Sequence, residues 1–171
     1  MKNELQRRHY SEVSGQVWLS NDTITFPLFS FNHKLVGYQQ YKPTGTKSFR
    51  KDPKKGRYFT IMKEPAVWGL EYNNPNCNVT VVCEGIFKAC RFHSYGINAI
   101  AVLSNNPEHL KQQLYLLSLS TVLVVVPDPD KPGMKLIKYG TYSIVPNKPV
   151  DELTETEMYN LTKQVTELWF I

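Results

Sequence analysis

The sequence predicts an α/β protein, a parallel sheet flanked by helices and preceded by a small antiparallel β-rich subdomain. Three apolar runs, "VTVVC" (79–83), "NAIAVLS" (98–104) and "TVLVVV" (121–126), are separated by stretches of helical periodicity. Strands so continuously apolar belong to sheets covered on both faces. Upstream the pattern changes to alternating, β-rich runs punctuated by turn residues. The 171 residues, 42% hydrophobic and 20% charged, suffice for one core with a small annex. Residues 1–72 are assigned to the β-rich basic N-terminal subdomain, and 73–171 to the α/β domain with its C-terminal helix.

In chain order, "TITFPLFSF" (23–31) and "KLVGYQQY" (34–41) form a hairpin turning at Asn32-His33. "RYFTI" (57–61) and "AVWGLEY" (66–72) add short elements, joined to the hairpin by a Gly/Pro/Lys-rich connection over 42–57. "NNPNCN" (73–78) marks the boundary. The first parallel strand leads into a helix over 86–95, which Gly96 ends in the left-handed conformation. Asn106 is expected to cap the next helix, with Pro107 at its first position and Leu110, Leu114 and Leu117 on one face. "KYGTYSIVP" (138–146) supplies a further strand, and Thr154-x-x-Glu157 is a capping box opening the closing helix.

Composition excludes several classes. No apolar run approaches the ~20 residues of a membrane span, and "MKNELQRRHY" lacks the apolar core of a secretory signal. The expectation is a cytoplasmic protein with no membrane partner. Cys77, Cys83 and Cys90 are odd in number and contain no C-x-x-C pair, so neither a disulfide framework nor a zinc ribbon is encoded. His93 beside Cys90 reads as a core histidine satisfied by a local partner. The net charge of +5 is uneven: residues 1–64 hold twelve Lys/Arg against five Asp/Glu, and the remainder eight against ten. The excess is densest at Lys42, Lys47, Arg50, Lys51, Lys54, Lys55 and Arg57, which face the single acid Asp52 and are interleaved or flanked by Tyr41, Phe49, Tyr58 and Phe59. Clustered cations beside rings suit a phosphate backbone with stackable bases; a solvated loop is the plainer alternative.

Sites in open α/β sheets gather outside the carboxyl ends of the strands. There the first strand delivers Glu84, directly before Gly85, and the third delivers Asp128 and Asp130 in "VVVPDPDKPG". Residues i and i+2 of an extended chain share a face, and Pro129 presses Asp128 toward that conformation. Gly85 is expected to relieve the strand-to-helix turn and leave room for a ligand. Such carboxylates repel one another unless a cation sits among them, and an all-oxygen set suits Mg²⁺ or Mn²⁺. An exposed Asp/Pro turn is the alternative.

Together "VVCEGIFKA", "GINAIAVLS" and "VVVPDPDKPG" resemble the TOPRIM domain, the catalytic fold of bacterial-type primases, topoisomerases and some nucleases. The likeness is greatest to DNA primases of the bacterial and phage type. "TITFPLFSFNHKLVGYQQYKP" is similar to the β-rich subdomain before TOPRIM in those enzymes, and "VPNKPVDEL" (145–153) to the segment after its last strand. The resemblance spans roughly residues 23 to 155 and implies a TOPRIM-like parallel sheet in 73–171. It also implies a metal-dependent nucleotidyltransferase, a primase with DNA-directed RNA polymerase activity in DNA replication. Its partners would be a single-stranded DNA template, nucleoside triphosphates and a helicase or other replication protein, in the host cytoplasm if phage-encoded. It makes Glu84 the general acid/base or a metal ligand, Asp128 and Asp130 metal ligands, and Gly85 and Gly133 the motif glycines. Two positions depart from the pattern. Lys88 stands where the family places Asp, and Lys148-Pro149 replaces an acidic-Pro pair, leaving Asp151 as the nearest carboxylate. Lys88 and Lys131 are then candidate phosphate contacts. A TOPRIM nuclease and a non-catalytic nucleic-acid-binding adaptor are the alternatives within the same fold.

Overall fold

The computed structural model describes residues 1–10, 16–46 and 52–168. Its N-terminal sheet is antiparallel, in the order β1 (Trp18–Leu19), β2 (Ile24–Ser30), β3 (Leu35–Tyr41) and β4 (Tyr58–Met62), with β5 (Ala66–Val67) also pairing with β2. The hairpin turns where expected, His33 taking φ +58 between the two strands. Ile24, Phe26 and Leu28 alternate onto one face of β2 and are fully buried, each contributing about 1.5–3 kcal/mol of apolar burial.

The second sheet is wholly parallel, in the order β7 (Ala99–Ala101), β6 (Val79–Cys83), β8 (Val122–Val125) and β9 (Tyr142–Ser143). Alternation along its strands divides the core in two. Val81, Cys83, Ala99 and Val124 face a cluster that includes α2 (Ile86–His93) and α4 (Glu155–Glu167). Val82, Ile100, Leu123 and Val125 face the other side, where Leu110 and Leu114, the latter in α3 (Lys111–Ser118), pack with Leu136 and Tyr139. Both faces are covered, as the continuous apolar runs predict.

The two sheets share a core. Trp68, just past β5, exchanges backbone hydrogen bonds with Ala101 at 3.0 and 2.8 Å, and one apolar cluster runs from Phe26 and Leu28 through Trp68 to Val81 and Phe92. The antiparallel sheet therefore packs directly onto the parallel one.

Some local expectations are corrected. Asn106 does not cap α3: a 3-10 turn, Glu108–Leu110, comes first with Pro107 at its head, and Asn106 Oδ1 instead accepts the Tyr139 hydroxyl at 3.0 Å. The expected strand over 138–146 is reduced to the two residues of β9. The helix α1 (Lys2–Arg7) has no counterpart in the sequence reading. The capping box is present, with Thr154 N donating to Glu157 Oε2 at 2.7 Å and Glu157 N to Thr154 Oγ1 at 3.3 Å. His93 is a core histidine, its Nε2 2.9 Å from the Ala99 carbonyl oxygen and its ring stacked on Trp68. Burial pushes the Cys83 thiol up to about 12. Among the described residues no helix is long and apolar enough to cross a membrane.

Candidate active site at the carboxyl ends of the parallel strands

β6 and β8 are adjacent and parallel, with Val82 opposite Val125. Glu84 leaves β6 one residue past Cys83, and the chain leaving β8 reaches Asp128 at the same edge. Both belong to one electrostatic cluster: burial raises the Glu84 pKa above the ordinary carboxylate value, Lys88 opposes the rise, and Asp128 and Asp130 add to it. A carboxyl that holds its proton more tightly than usual is better suited to proton transfer than an ordinary one.

Lys88 lies on the first turn of α2 and points across to Asp128, its Nζ donating to both carboxylate oxygens. Only 14% of the lysine side chain and 19% of the aspartate side chain is exposed. Burial acts to lower the Lys88 pKa, but the hydrogen bond and charge of Asp128, with the charges of Asp151 and Glu84, outweigh it and raise the value. Lys88 thus brings its positive charge directly to Asp128. Asp130 is exposed, and its Oδ1 accepts the Gly133 amide at 2.6 Å, closing its own loop. Lys131, beside it, is exposed. Among the described residues no three acidic or other metal-ligating side chains gather into a cage.

The two motif glycines differ in what they do. A Cβ on Gly133 would lie 3.0 Å from the Asp128 amide nitrogen and Cβ, and closer still to its carbonyl oxygen. Only glycine lets the loop fold back onto Asp128. Gly85 has an extended backbone, φ −127°, that any residue adopts, and an added Cβ would meet nothing within 4 Å. The expected torsional demand is absent there, while the space in front of α2 is open.

Arg8 is a site neighbour that sequence reasoning missed. Its guanidinium sits 4.6 Å from the Phe87 ring centroid, next to Lys88, and Nη1 donates to Asp151 Oδ2 at 3.1 Å. Asp151 thus links the N-terminal segment to the cluster. Lys148 is directed elsewhere, pairing with Glu157 at 2.8 Å. The pair "RR" at 7–8 was the available signal, and nothing local connects it to residue 151.

Of the basic segment, Lys47, Arg50 and Lys51 lie outside the described residues, as does Phe49. Lys54 and Lys55 are exposed on the 3-10 turn Pro53–Lys55, whose head is capped by Asp52. Lys42 Nζ donates to the Lys54 carbonyl at 3.1 Å, and exposed Arg57 donates Nε to that of Gly45 at 3.3 Å. Tyr41 is not a free stacking ring: it is buried against Phe87, with its hydroxyl on Glu4. A groove of about 570 Å³ opens at the opposite, amino-terminal end of the parallel strands, beside Thr80, Asn98 and Thr121, and none of the candidate acids lines it.

No family model matches the sequence and no curated protein matches it. Solved structures do. The DnaG catalytic core is similar with a TM-score of 0.62 at 17% identity over 97% of this chain and 63% of that one. The Aquifex aeolicus primase, with its zinc-binding and RNA polymerase domains, gives 0.59 at 19% identity over 85% and 40%. The DnaG primase catalytic domain bound to single-stranded DNA gives 0.58 at 17% over 98% and 58%. The chain spans 40–63% of the length of these structures. Its fold is that of a bacterial-type primase catalytic core.

Proposed function

We propose that this chain is a TOPRIM-type, primase-like nucleotidyltransferase that extends an oligonucleotide on a single-stranded DNA template. One observation supports the reading: the segments carrying Glu84 and Asp128 leave adjacent parallel strands at the same edge of a primase-core fold. In the reaction a 3′ hydroxyl attacks the α-phosphate of a nucleoside triphosphate, the new phosphodiester forms, and pyrophosphate leaves. Half-buried Glu84 takes the hydroxyl proton. Lys88 holds Asp128 in place and offers positive charge to the phosphates, and the open space at Gly85 admits them to the start of α2, where the helix dipole favours anions.

The carboxylates have the right donor chemistry for Mg²⁺ or Mn²⁺, but Asp128 is already satisfied by Lys88. An ion arriving on the triphosphate would be held by Glu84 and Asp130, since such ions commonly bind one or two carboxylates plus substrate phosphates. When bound it would stabilise charge on the phosphoryl group in transfer.

The Lys88–Asp128 pair favours one second reading, a non-catalytic nucleic-acid-binding platform in which the lysine has replaced the cation permanently. Incubation of the protein with single-stranded DNA, ribonucleotides and Mn²⁺ separates the two. Short oligomers, abolished by Asp128→Asn, support the enzyme. DNA binding that survives chelation, with no synthesis under any divalent ion, supports the platform.

A further inference from the structure

The antiparallel sheet has a second face with several large side chains outside both apolar cores. The register that turns Phe26 inward with Gln39 and Thr60 places Tyr38, Phe59 and Ile61 on the opposite side, with Trp18 across β2 at the far edge. None of these four belongs to either apolar cluster. Trp18 is 52% and Ile61 41% exposed, and the Tyr38 and Phe59 rings meet edge to face at 6.4 Å. From β1 to β4 the sheet spans roughly 14 Å, three strand spacings.

The charge on this face has one sign. The ladder continues past both ends of β4, Lys42 N bonding the Arg57 carbonyl and Lys63 N that of Val36. Alternation therefore adds Arg57 and Lys63, both exposed, to the side of Phe59 and Ile61. Every side chain that the ladder assigns to this side of β3 and β4 is neutral or basic. Two acids lie at its border: Asp22, in the turn before β2, interacts with Lys42, and Asp52 pairs with Lys55 at 3.8 Å on the turn that leads into β4.

We propose that this outer face is a stacking platform for single-stranded nucleic acid, with bases on Phe59, Tyr38 and Trp18 and phosphates on Arg57 and Lys63. Flat rings flanked by cations bind single strands without reading sequence, the rings taking bases and the cations neutralising backbone charge. The same cations argue against a second copy, because a two-fold contact through this face would oppose Arg57 and Lys63 with like charges. The platform is continuous with Lys54 and Lys55 on the turn that leads into β4. The inference rests on the reading of the chain as a nucleic-acid-binding primase fold, and it adds a binding surface outside the acidic cluster.

The test is fluorescence anisotropy of the full chain with a labelled 20-nucleotide oligo-dT. Phe59→Ala and Ile61→Glu should each weaken binding by about tenfold, in keeping with the loss of a single stacked base. Phe59→Trp should restore it, with far-UV circular dichroism unchanged throughout. Should Phe59→Ala fail to fold, the exposed substitutions Ile61→Glu and Lys63→Glu decide the matter. If the wild-type chain binds oligo-dT and these variants bind it equally well, the platform is wrong and the primase-like reading stands. If the wild-type chain binds no oligo-dT, both fall. A concentration-dependent dimer that Ile61→Glu abolishes without changing DNA affinity would assign the face to a second copy and overturn the proposal.

Discussion

Lys88, from the first turn of α2, holds both carboxylate oxygens of Asp128, forty residues further along the chain and beyond the neighbouring strand. The pair ties the α2 turn to the loop after β8, across the edge where chemistry is expected in such a sheet. Among the described residues, Glu84 and Asp130 form no ion pair of this kind.

Removing one partner leaves the other charge partly buried and unpaired. Lys88→Met should destabilise the fold by about 1–3 kcal/mol, measured by urea denaturation. The double variant Lys88→Met/Asp128→Asn should lose less than the sum of the single losses, because the stranded carboxylate is gone. Additive losses would mean that the pair is not coupled.

Glu84 supplies a pH signature. Its folded pKa is raised, chiefly by burial, so the folded state prefers the protonated form. That contribution is fully present below the unfolded value and is lost as pH rises through the folded one. Glu84→Gln should therefore raise the melting temperature at neutral pH, and the gain should vanish below the ordinary glutamate range. A gain that persists in acid would contradict the assignment.

The motif glycines should separate cleanly. Gly133→Ala forces a Cβ into Asp128 and should cost about 1–3 kcal/mol as the loop shifts. Gly85→Ala meets open space and should leave stability nearly unchanged while impairing nucleotide binding, since the added methyl enters the proposed phosphate approach. Thermal melts and nucleotide titrations of both variants check this.

Arg8 should matter to the joint between the sheets. Arg8→Ala removes the stacking on Phe87 and the bond to Asp151 and should cost about 0.5–2 kcal/mol. Arg8→Lys should recover the ion pair but not all of the stability, measured by the same denaturation.

The parallel sheet was legible because continuous apolar strands with intervening helices leave few alternatives, and the Glu84 and Asp128 positions follow from where those strands end. The cluster's internal wiring was not legible. Lys88 could be seen as a departure from a resemblance, but its partner lies forty positions away and no local pattern encodes the contact. The short helix α1 buries only Leu5 and so shows no apolar periodicity. Asn106 had the residue type of a cap, yet the Tyr139 hydroxyl, brought in from another segment, claimed its side chain. Tyr41 looked like an exposed ring because it borders lysines; the packing of α2 against the hairpin buried it.

The most direct measurement is anomalous diffraction from crystals soaked in Mn²⁺ and a nucleoside triphosphate. The account predicts a manganese peak in contact with the carboxylates of Glu84 and Asp130 and with the triphosphate. An ordered triphosphate elsewhere, or no manganese at this edge under saturating conditions while Lys88 still covers Asp128, would contradict it.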